Sequence, residues 1–108
     1  MSPREPKEQD DTVVITKTKS EKKLKRPPLY KVILHNDDFT PMEFVVLILR
    51  HVFHKSESDA QAIMLHAHTR GYAVAGVYAH EIAEEKVSRV MSIAREAQVP
   101  LLCTMEPD

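Results

Sequence analysis

The chain has 108 residues, of which 43% are hydrophobic and 29% are charged, and a formal net charge of −1. This length fits one small domain, or a smaller domain with a tail. The single cysteine, Cys103, excludes an internal disulfide framework and is usual in a reducing compartment. Because no apolar run approaches the roughly 18–20 residues that span a bilayer, and the first residues lack a signal-peptide apolar segment, we expect a soluble, cytoplasmic protein.

Charge is distributed unevenly along the chain. Residues 1–28 contain eight Lys and Arg against five acids, whereas residues 29–108 contain seven against eleven, together with all six histidines. The leader therefore carries +3 and the remainder −4. An acidic folded part argues against a nucleic-acid-binding core, so we expect neither nucleic acid nor a membrane as a partner.

The leader is predicted to be disordered. Residues 1 to about 26 are rich in Lys, Glu, Asp, Ser, Thr and Pro, with Val13-Val14-Ile15 as the one apolar cluster. Pro27-Pro28 then stiffens the chain and marks a boundary. We therefore divide the chain into a disordered N-terminal extension, residues 1–27, and a folded domain, residues 28–108.

The folded part begins with an apolar strand, Leu29–His35, and a polar turn of Asn36, Asp37 and Asp38. Thr40 is predicted to be the N-cap of a helix over residues 41–53, with Glu43 completing a Thr-x-x-Glu capping box. Apolar residues at i, i+4 and i+8 give this helix a wide buried face.

A second helix is predicted to start at Ser56 or Ser58 and to end at Gly71. The next strand, residues 72–78, contains Gly76, which indicates a bulge or a close backbone approach. A third helix, residues 79–97, and a strand, residues 101–106, complete the domain. The β-α-α-β-α-β order predicts an α+β fold, a three-stranded antiparallel sheet packed against three helices.

The polar turn is a candidate ligand site. Two carboxylates and an amide carbonyl offer only charge and acceptors, which suit a primary ammonium. On the second helix, Met64, Ala67 and His68 share a face. If this helix packs antiparallel to the first, His68 lies near the turn, above an apolar pocket with flexible methionine walls.

Each of these features also has a purely structural explanation. Asn-Asp-Asp before a helix often only satisfies the backbone of the turn. Met42 and Met64 are then core residues, and His68 is solvated or interacts with the helix dipole. The residues alone leave both interpretations open.

Catalysis has no positive support in the sequence. Nucleophile-elbow, P-loop and dinucleotide-binding motifs are absent, and neighbouring carboxylates are poorly placed for acid–base pairing. Cys103 has no second thiol, which argues against zinc. We predict a protein that is not an enzyme and has no cofactor or metal. A hydrolase using Asp37 with His68 stays formally open.

The sequence resembles the ClpS-type N-degron adaptors over about residues 28–106. The motifs that carry the resemblance are Tyr-Lys-Val-Ile-Leu-His-Asn-Asp-Asp-Phe-Thr-Pro-Met-Glu-Phe-Val at residues 30–45, Ala-Ile-Met-Leu-His-Ala-His at residues 62–68, Gly-Val-Tyr at residues 76–78, Ala-Glu-Glu-Lys-Val at residues 83–87 and Pro-Leu-Leu-Cys-Thr-Met-Glu at residues 100–106.

This resemblance implies a bacterial protease adaptor. Such adaptors are non-catalytic; they bind substrate proteins that begin with Leu, Phe, Tyr or Trp and deliver them to the N-terminal domain of a ClpA-type AAA+ unfoldase of the ClpAP protease. The disordered leader is used in delivery, and the expected form is a monomer.

The resemblance also assigns residues. It implies α-amine recognition by Asn36, Asp37 and His68, and unfoldase contact by Glu81 and Lys86 on the third helix. Its hydrophobic side-chain pocket corresponds to Asp38, Thr40, Met42, Val45, Met64, Ala67 and Leu101. Met42 is the expected gatekeeper against β-branched side chains. Ala67 departs from the best-known pattern, which has valine. We therefore expect an altered order of affinity among substrates that begin with Leu, Phe, Tyr or Trp.

One alternative belongs to another class of protein. A domain of this size and element order also suits a structural assembly module, similar to a ribosomal stalk domain, that docks partners by a helix face. The acidic surface of the third helix would then be the functional one, and the Asn-Asp-Asp turn would serve only the fold.

Overall fold

The computed structural model describes residues 27–108. The predicted disordered extension and its Val13-Val14-Ile15 cluster lie outside the described residues, apart from Pro27. The elements are, in chain order, β1 (Leu29–His35), α1 (Met42–His51), α2 (Glu57–Arg70), β2 (Tyr72–Ala79), α3 (His80–Ala97) and β3 (Leu102–Pro107). The predicted β-α-α-β-α-β order is therefore confirmed.

The strands form one three-stranded sheet in the order β2-β1-β3. β1 pairs with both neighbours in antiparallel fashion, as predicted. Because side chains alternate along a strand, Val32 and Leu34 face the helices and are 0% and 1% exposed. The opposite face carries Lys31 and His35, which are only partly buried.

The helices build the core against one face of this sheet. The fully buried side chains of β1 pack with those of α1 and with Val90 of α3. α1 contributes Val45, Val46, Ile48 and Leu49. The spacing of these residues is that of an amphipathic helix whose apolar stripe faces the sheet, as the sequence predicts.

The predicted capping box at the start of α1 is wrong. The helix begins at Met42, its N-cap residue is Pro41, and no side chain caps it. The Thr40 hydroxyl instead donates to Oδ2 of Asp37 at 2.5 Å. This bond to an ionised acceptor is a strong one. It holds the Thr40 side chain on the turn, and the hydroxyl oxygen does not cap the first N–H groups of α1.

Two glycines and one serine act as the sequence predicts. The Ser56 hydroxyl caps α2 by accepting from the Asp59 N–H at 3.2 Å. Gly71 ends α2 in the left-handed conformation, with φ of 95°, which glycine adopts at no steric cost. Beside Gly76 the register between β1 and β2 shifts by a bulge. A Cβ at residue 76 would lie only 2.7 Å from two ring carbons of Tyr78, so the close approach of this ring requires glycine.

Within residues 27–108, no helix combines the length and apolar character needed to cross a membrane.

Candidate functional site

A cavity of about 190 Å³ lies where β1 ends, between the following turn and the facing parts of α1 and α2. All ten residues that the sequence predicts for amine binding and for the side-chain pocket line this cavity. Leu34 and His35 are the other lining residues. The structure thus brings the predicted residues together, although they come from three separate segments of the chain, residues 36–45, residues 64–68 and Leu101.

The floor of the cavity is apolar. Its buried members are between 1% and 8% exposed, and they are Leu34, Val45, Met64, Ala67 and Leu101. Met42 belongs to the wall and is 42% exposed, so it lies toward the mouth. Such a floor accepts an apolar group and offers it no hydrogen bonds.

The rim is polar, and Asp37 organises it. Oδ1 of Asp37 accepts the backbone N–H groups of Phe39 at 2.7 Å and of Thr40 at 2.8 Å, while Oδ2 accepts the Thr40 hydroxyl. Asp37 therefore satisfies the backbone of the turn, as the structural explanation expects. A carboxylate has about four acceptor positions, so three bonds leave room for one more donor.

Asn36, Asp38 and His68 complete the rim. All three are exposed, and no side-chain hydrogen bond joins any of them to another part of residues 27–108. The Asn36 N–H donates to the Gly71 carbonyl at 2.9 Å, which fixes the turn beside the C-terminal end of α2 and its residue His68.

The electrostatics of the mouth favour a cation. Asp37 and Asp38 bring two carboxylates, and α2 presents its C-terminal end, which carries a partial negative charge from the helix dipole. Acceptors at the rim above an apolar floor match a molecule that carries an ammonium next to a hydrophobic side chain.

The sequence-based prediction missed Leu34 and His35 as lining residues. Strand alternation is a signal for Leu34, because Leu34 lies two residues after Val32 on the same buried face of β1. His35 has the opposite orientation, and its Nε2 lies 2.7 Å from the Thr104 hydroxyl of β3. It reaches the cavity only because β1 ends there.

Glu81 and Lys86 lie on α3, outside the cavity lining. Glu81 is exposed in the first turn. Lys86 is half-buried, and its Nζ donates to the Val52 carbonyl at 2.7 Å, 5.7 Å from the centroid of the Tyr78 ring. The Lys86 ammonium thus binds the C-terminal end of α1, where the helix dipole favours a cation.

No group of three or more potential metal ligands occurs in the part of the chain that the structure describes. Cys103 is buried, and burial raises the pKa of its thiol from 9.0 to about 12. A neutral buried thiol behaves as a small hydrophobic side chain.

Comparison with known proteins identifies the family. The family model described as ATP-dependent Clp protease adaptor protein ClpS matches residues 25–104. This chain belongs to the ClpS family. The ATP-dependent Clp protease adapter protein ClpS of Myxococcus xanthus is 54% identical over 102 residues, which cover 94% of this chain and 95% of that protein. The ClpS of Roseobacter denitrificans is 57% identical over 98 residues, which cover 91% of this chain and 85% of that protein.

A solved structure agrees with the sequence relatives. The structure of Agrobacterium tumefaciens ClpS2 bound to L-phenylalaninamide superposes on this chain with a TM-score of 0.74 at 46% identity. The match covers 77% of this chain and 100% of that chain. Membership of the ClpS family makes the chain an adaptor of a Clp protease, and so decides against the assembly-module interpretation.

Proposed function

We propose that this ClpS-family adaptor binds proteins with a free N-terminal Leu, Phe, Tyr or Trp and delivers them to a ClpA-type unfoldase. The observation that carries the proposal is the cavity itself, an apolar floor beneath a rim of carboxylate, amide and imidazole groups. A free α-ammonium and a large apolar side chain on one residue occur together only at a chain terminus.

The cavity has the size of one side chain. Its volume of about 190 Å³ is below the 300–1,000 Å³ or so of drug-sized pockets. It exceeds the roughly 150 Å³ of an apolar cavity that binds benzene in another protein. The family relative ClpS2 binds L-phenylalaninamide, which combines a free amine with a benzyl group. Met42, Val45, Met64, Ala67 and Leu101 are the proposed contacts of the guest side chain, with Thr40 and Asp38 beside them.

The rim would hold the α-ammonium. Asp37 supplies the charge and one unused acceptor position, Asn36 supplies an amide carbonyl, and His68 supplies an imidazole nitrogen. Each is an acceptor for an N–H donor, and a hydrogen bond between ionised partners is about twice as strong as a neutral one.

Delivery is assigned to the surface of α3 around Glu81 and Lys86. This surface lies outside the cavity lining, so one adaptor can hold a guest and an unfoldase at the same time. Glu81 is the residue with a free side chain for such contact, since it is exposed and forms no ion pair with the rest of residues 27–108.

Fluorescence titration with peptides that differ only in the first residue tests the proposal. We expect Leu, Phe, Tyr and Trp peptides to bind at least about tenfold more tightly than Ala or Glu peptides, because a fully buried large side chain contributes about 1.5–3 kcal/mol. Binding that does not depend on the first residue would contradict it.

A further inference from the structure

The sheet face opposite the helices carries several exposed apolar side chains. Residues that pair directly share a face, so Val74 lies with Ile33 and Val77 with Lys31. The large hydrophobic residues that this face exposes are 39–50% accessible, and they are Leu29, Tyr72, Val74, Val77 and Leu102. An exposed apolar patch of this kind is typical of an interaction site.

Part of this face forms a groove of about 460 Å³. Its floor is apolar and consists of Ile33, Tyr72 and Val74. Charged side chains line the groove at both ends. Arg70 lies beside Tyr72, at the end of β1, whereas Glu106 pairs with β1 near its start. An occupant of the groove therefore meets apolar side chains in the middle, a cation at one end and a carboxylate at the other.

The segment that precedes the domain contains one apolar cluster, Val13-Val14-Ile15. The cluster lies outside the described residues, and neither the cavity nor the proposed unfoldase contact uses it. Residues 12–16 are all β-branched, and such residues favour an extended backbone. The flanks of the cluster have opposite charge, since Asp10-Asp11 precedes it and Lys17 and Lys19 follow it.

This segment joins the domain at one end of the apolar face. Leu29, the first residue of β1, belongs to the face. From Leu29 to His35 the face is about 20 Å long at 3.3 Å per residue. Residues 16–26 separate the cluster from Pro27. A chain of that length extends to about 36 Å at most, and a flexible one averages about 17–20 Å. The cluster therefore reaches every part of the face.

Charge complementarity favours one direction of the segment on the face. The chain arrives from the Leu29 end, so the basic flank of the cluster comes near the start of β1 and the acidic flank near its end. Glu106 and Asp108 lie near the start of β1, where the Asp108 N–H donates to the Leu29 carbonyl at 2.9 Å. Arg70 lies at the end of β1. Each flank thus meets a side chain of opposite charge, which selects this occupant and this direction.

We propose that Val13-Val14-Ile15 docks on this sheet face of its own chain, with Val13 and Ile15 against Tyr72 and Val74. Alternate side chains of an extended segment point to the same side, so Val13 and Ile15 provide two apolar anchors. A short tether gives an effective concentration of about millimolar, highest where the average length of the tether matches the span. The tethered cluster therefore outcompetes a second copy of the chain. The proposal does not depend on the proposed function.

An introduced tryptophan reports this docking, because the chain contains none. Ile15→Trp in the full chain places an indole in the cluster. Ser20→Trp is the matched control, since residue 20 lies nearer to the domain in sequence but outside the cluster. We expect acrylamide to quench Ile15→Trp at least about threefold less efficiently than Ser20→Trp, with emission at a shorter wavelength, because a docked aromatic side chain leaves water.

Substitutions in the face show where the indole lies. When Tyr72→Ser and Val74→Ser are added to Ile15→Trp, we expect the quenching to rise to that of Ser20→Trp. Leu47→Ser is the control for these changes, since Leu47 is also exposed, at 48%, but belongs to α1 rather than to the sheet. Circular dichroism checks that each variant is folded, and each measurement is repeated over a range of protein concentrations.

Protection of Ile15→Trp that is lost with Tyr72→Ser and Val74→Ser, kept with Leu47→Ser and independent of concentration supports the proposal. Equal quenching of Ile15→Trp and Ser20→Trp overturns it. Protection that survives the two changes in the face, or that Leu47→Ser removes equally, overturns it as well. Protection that disappears on dilution identifies a second copy as the occupant and also contradicts the proposal.

Discussion

The Asp37 carboxylate is held by the Thr40 hydroxyl and by two backbone N–H groups, of Phe39 and Thr40. One side chain therefore shapes the turn and, in the proposed function, also receives the guest ammonium. These two roles depend on different properties, because the turn needs acceptor oxygens and the ammonium needs negative charge.

Replacing Asp37 by asparagine separates the two roles. The amide oxygen still accepts both N–H groups, so we expect Asp37→Asn to fold with a melting temperature close to that of the wild type. Losing the charge should weaken binding of a Phe-initiated peptide by about 2–5 kcal/mol, as calorimetric titration measures. Thr40→Val is the control, with an expected loss of no more than about 1.5 kcal/mol. Undiminished affinity of Asp37→Asn would remove the carboxylate from amine recognition.

Ala67 sets the width of the cavity. It is 4% exposed and lines the floor, so Ala67→Val adds two methyl groups to a closed space. Since one methylene contributes about 1–3 kcal/mol of discrimination, we expect Trp peptides to lose affinity relative to Leu peptides. Ala62→Val is the matched control on α2, because Ala62 is exposed and does not line the cavity. An unchanged rank in Ala67→Val would refute the size argument.

Lys86 and Glu81 should differ in their effect on stability. Lys86→Met keeps the apolar stem but leaves the carbonyl of Val52 without its donor, and Val52 is 0% exposed. We expect the free energy of unfolding to fall by about 1–3 kcal/mol.

Glu81→Gln should change the free energy of unfolding by no more than about 0.5 kcal/mol and weaken unfoldase binding. Denaturant titration and a binding assay with a ClpA-type N-terminal domain measure the two effects; equal stability of both variants would contradict the role of Lys86 at the end of α1.

Burial of Cys103 makes the free energy of unfolding depend on pH in the alkaline range. Burial raises the pKa of its thiol from 9.0 to about 12, so the unfolded chain ionises first. The stabilisation is fully present below pH 9 and is lost as the pH rises toward 12. We expect the unfolding free energy of the wild type to fall more steeply over this range than that of Cys103→Ala. Equal slopes would show that the folded thiol ionises as readily as the unfolded one.

Local patterns predict most of the fold. Strand alternation and helical spacing depend on neighbours in sequence, and for this reason the order of the elements, Gly71 as the end of α2 and Ser56 as its cap are correct. The predicted cap of α1 is wrong because the Thr40 hydroxyl donates to Asp37, and this bond holds the side chain away from the first turn of α1. A motif search for a capping box does not weigh a charged acceptor three residues upstream.

Long-range contacts set the remaining features. The sequence assigns Lys86 only to an unfoldase contact, through the resemblance, and no local pattern indicates that its ammonium reaches the carbonyl of Val52, 34 residues away in sequence. His35 lines the cavity only because β1 ends against the turn. The set of residues around the cavity came chiefly from the family resemblance, since the amphipathic pattern of α2 gives no position relative to Asn36.

Amine recognition is the central claim, and one comparison tests it most directly. Two Leu-initiated peptides of identical sequence, one with a free and one with an acetylated N-terminus, are titrated against the full chain. Acetylation removes the charge and two donors while the side chain stays the same. We expect the acetylated peptide to bind at least about thirtyfold more weakly, the equivalent of 2 kcal/mol. Equal affinity for the two peptides would contradict the account.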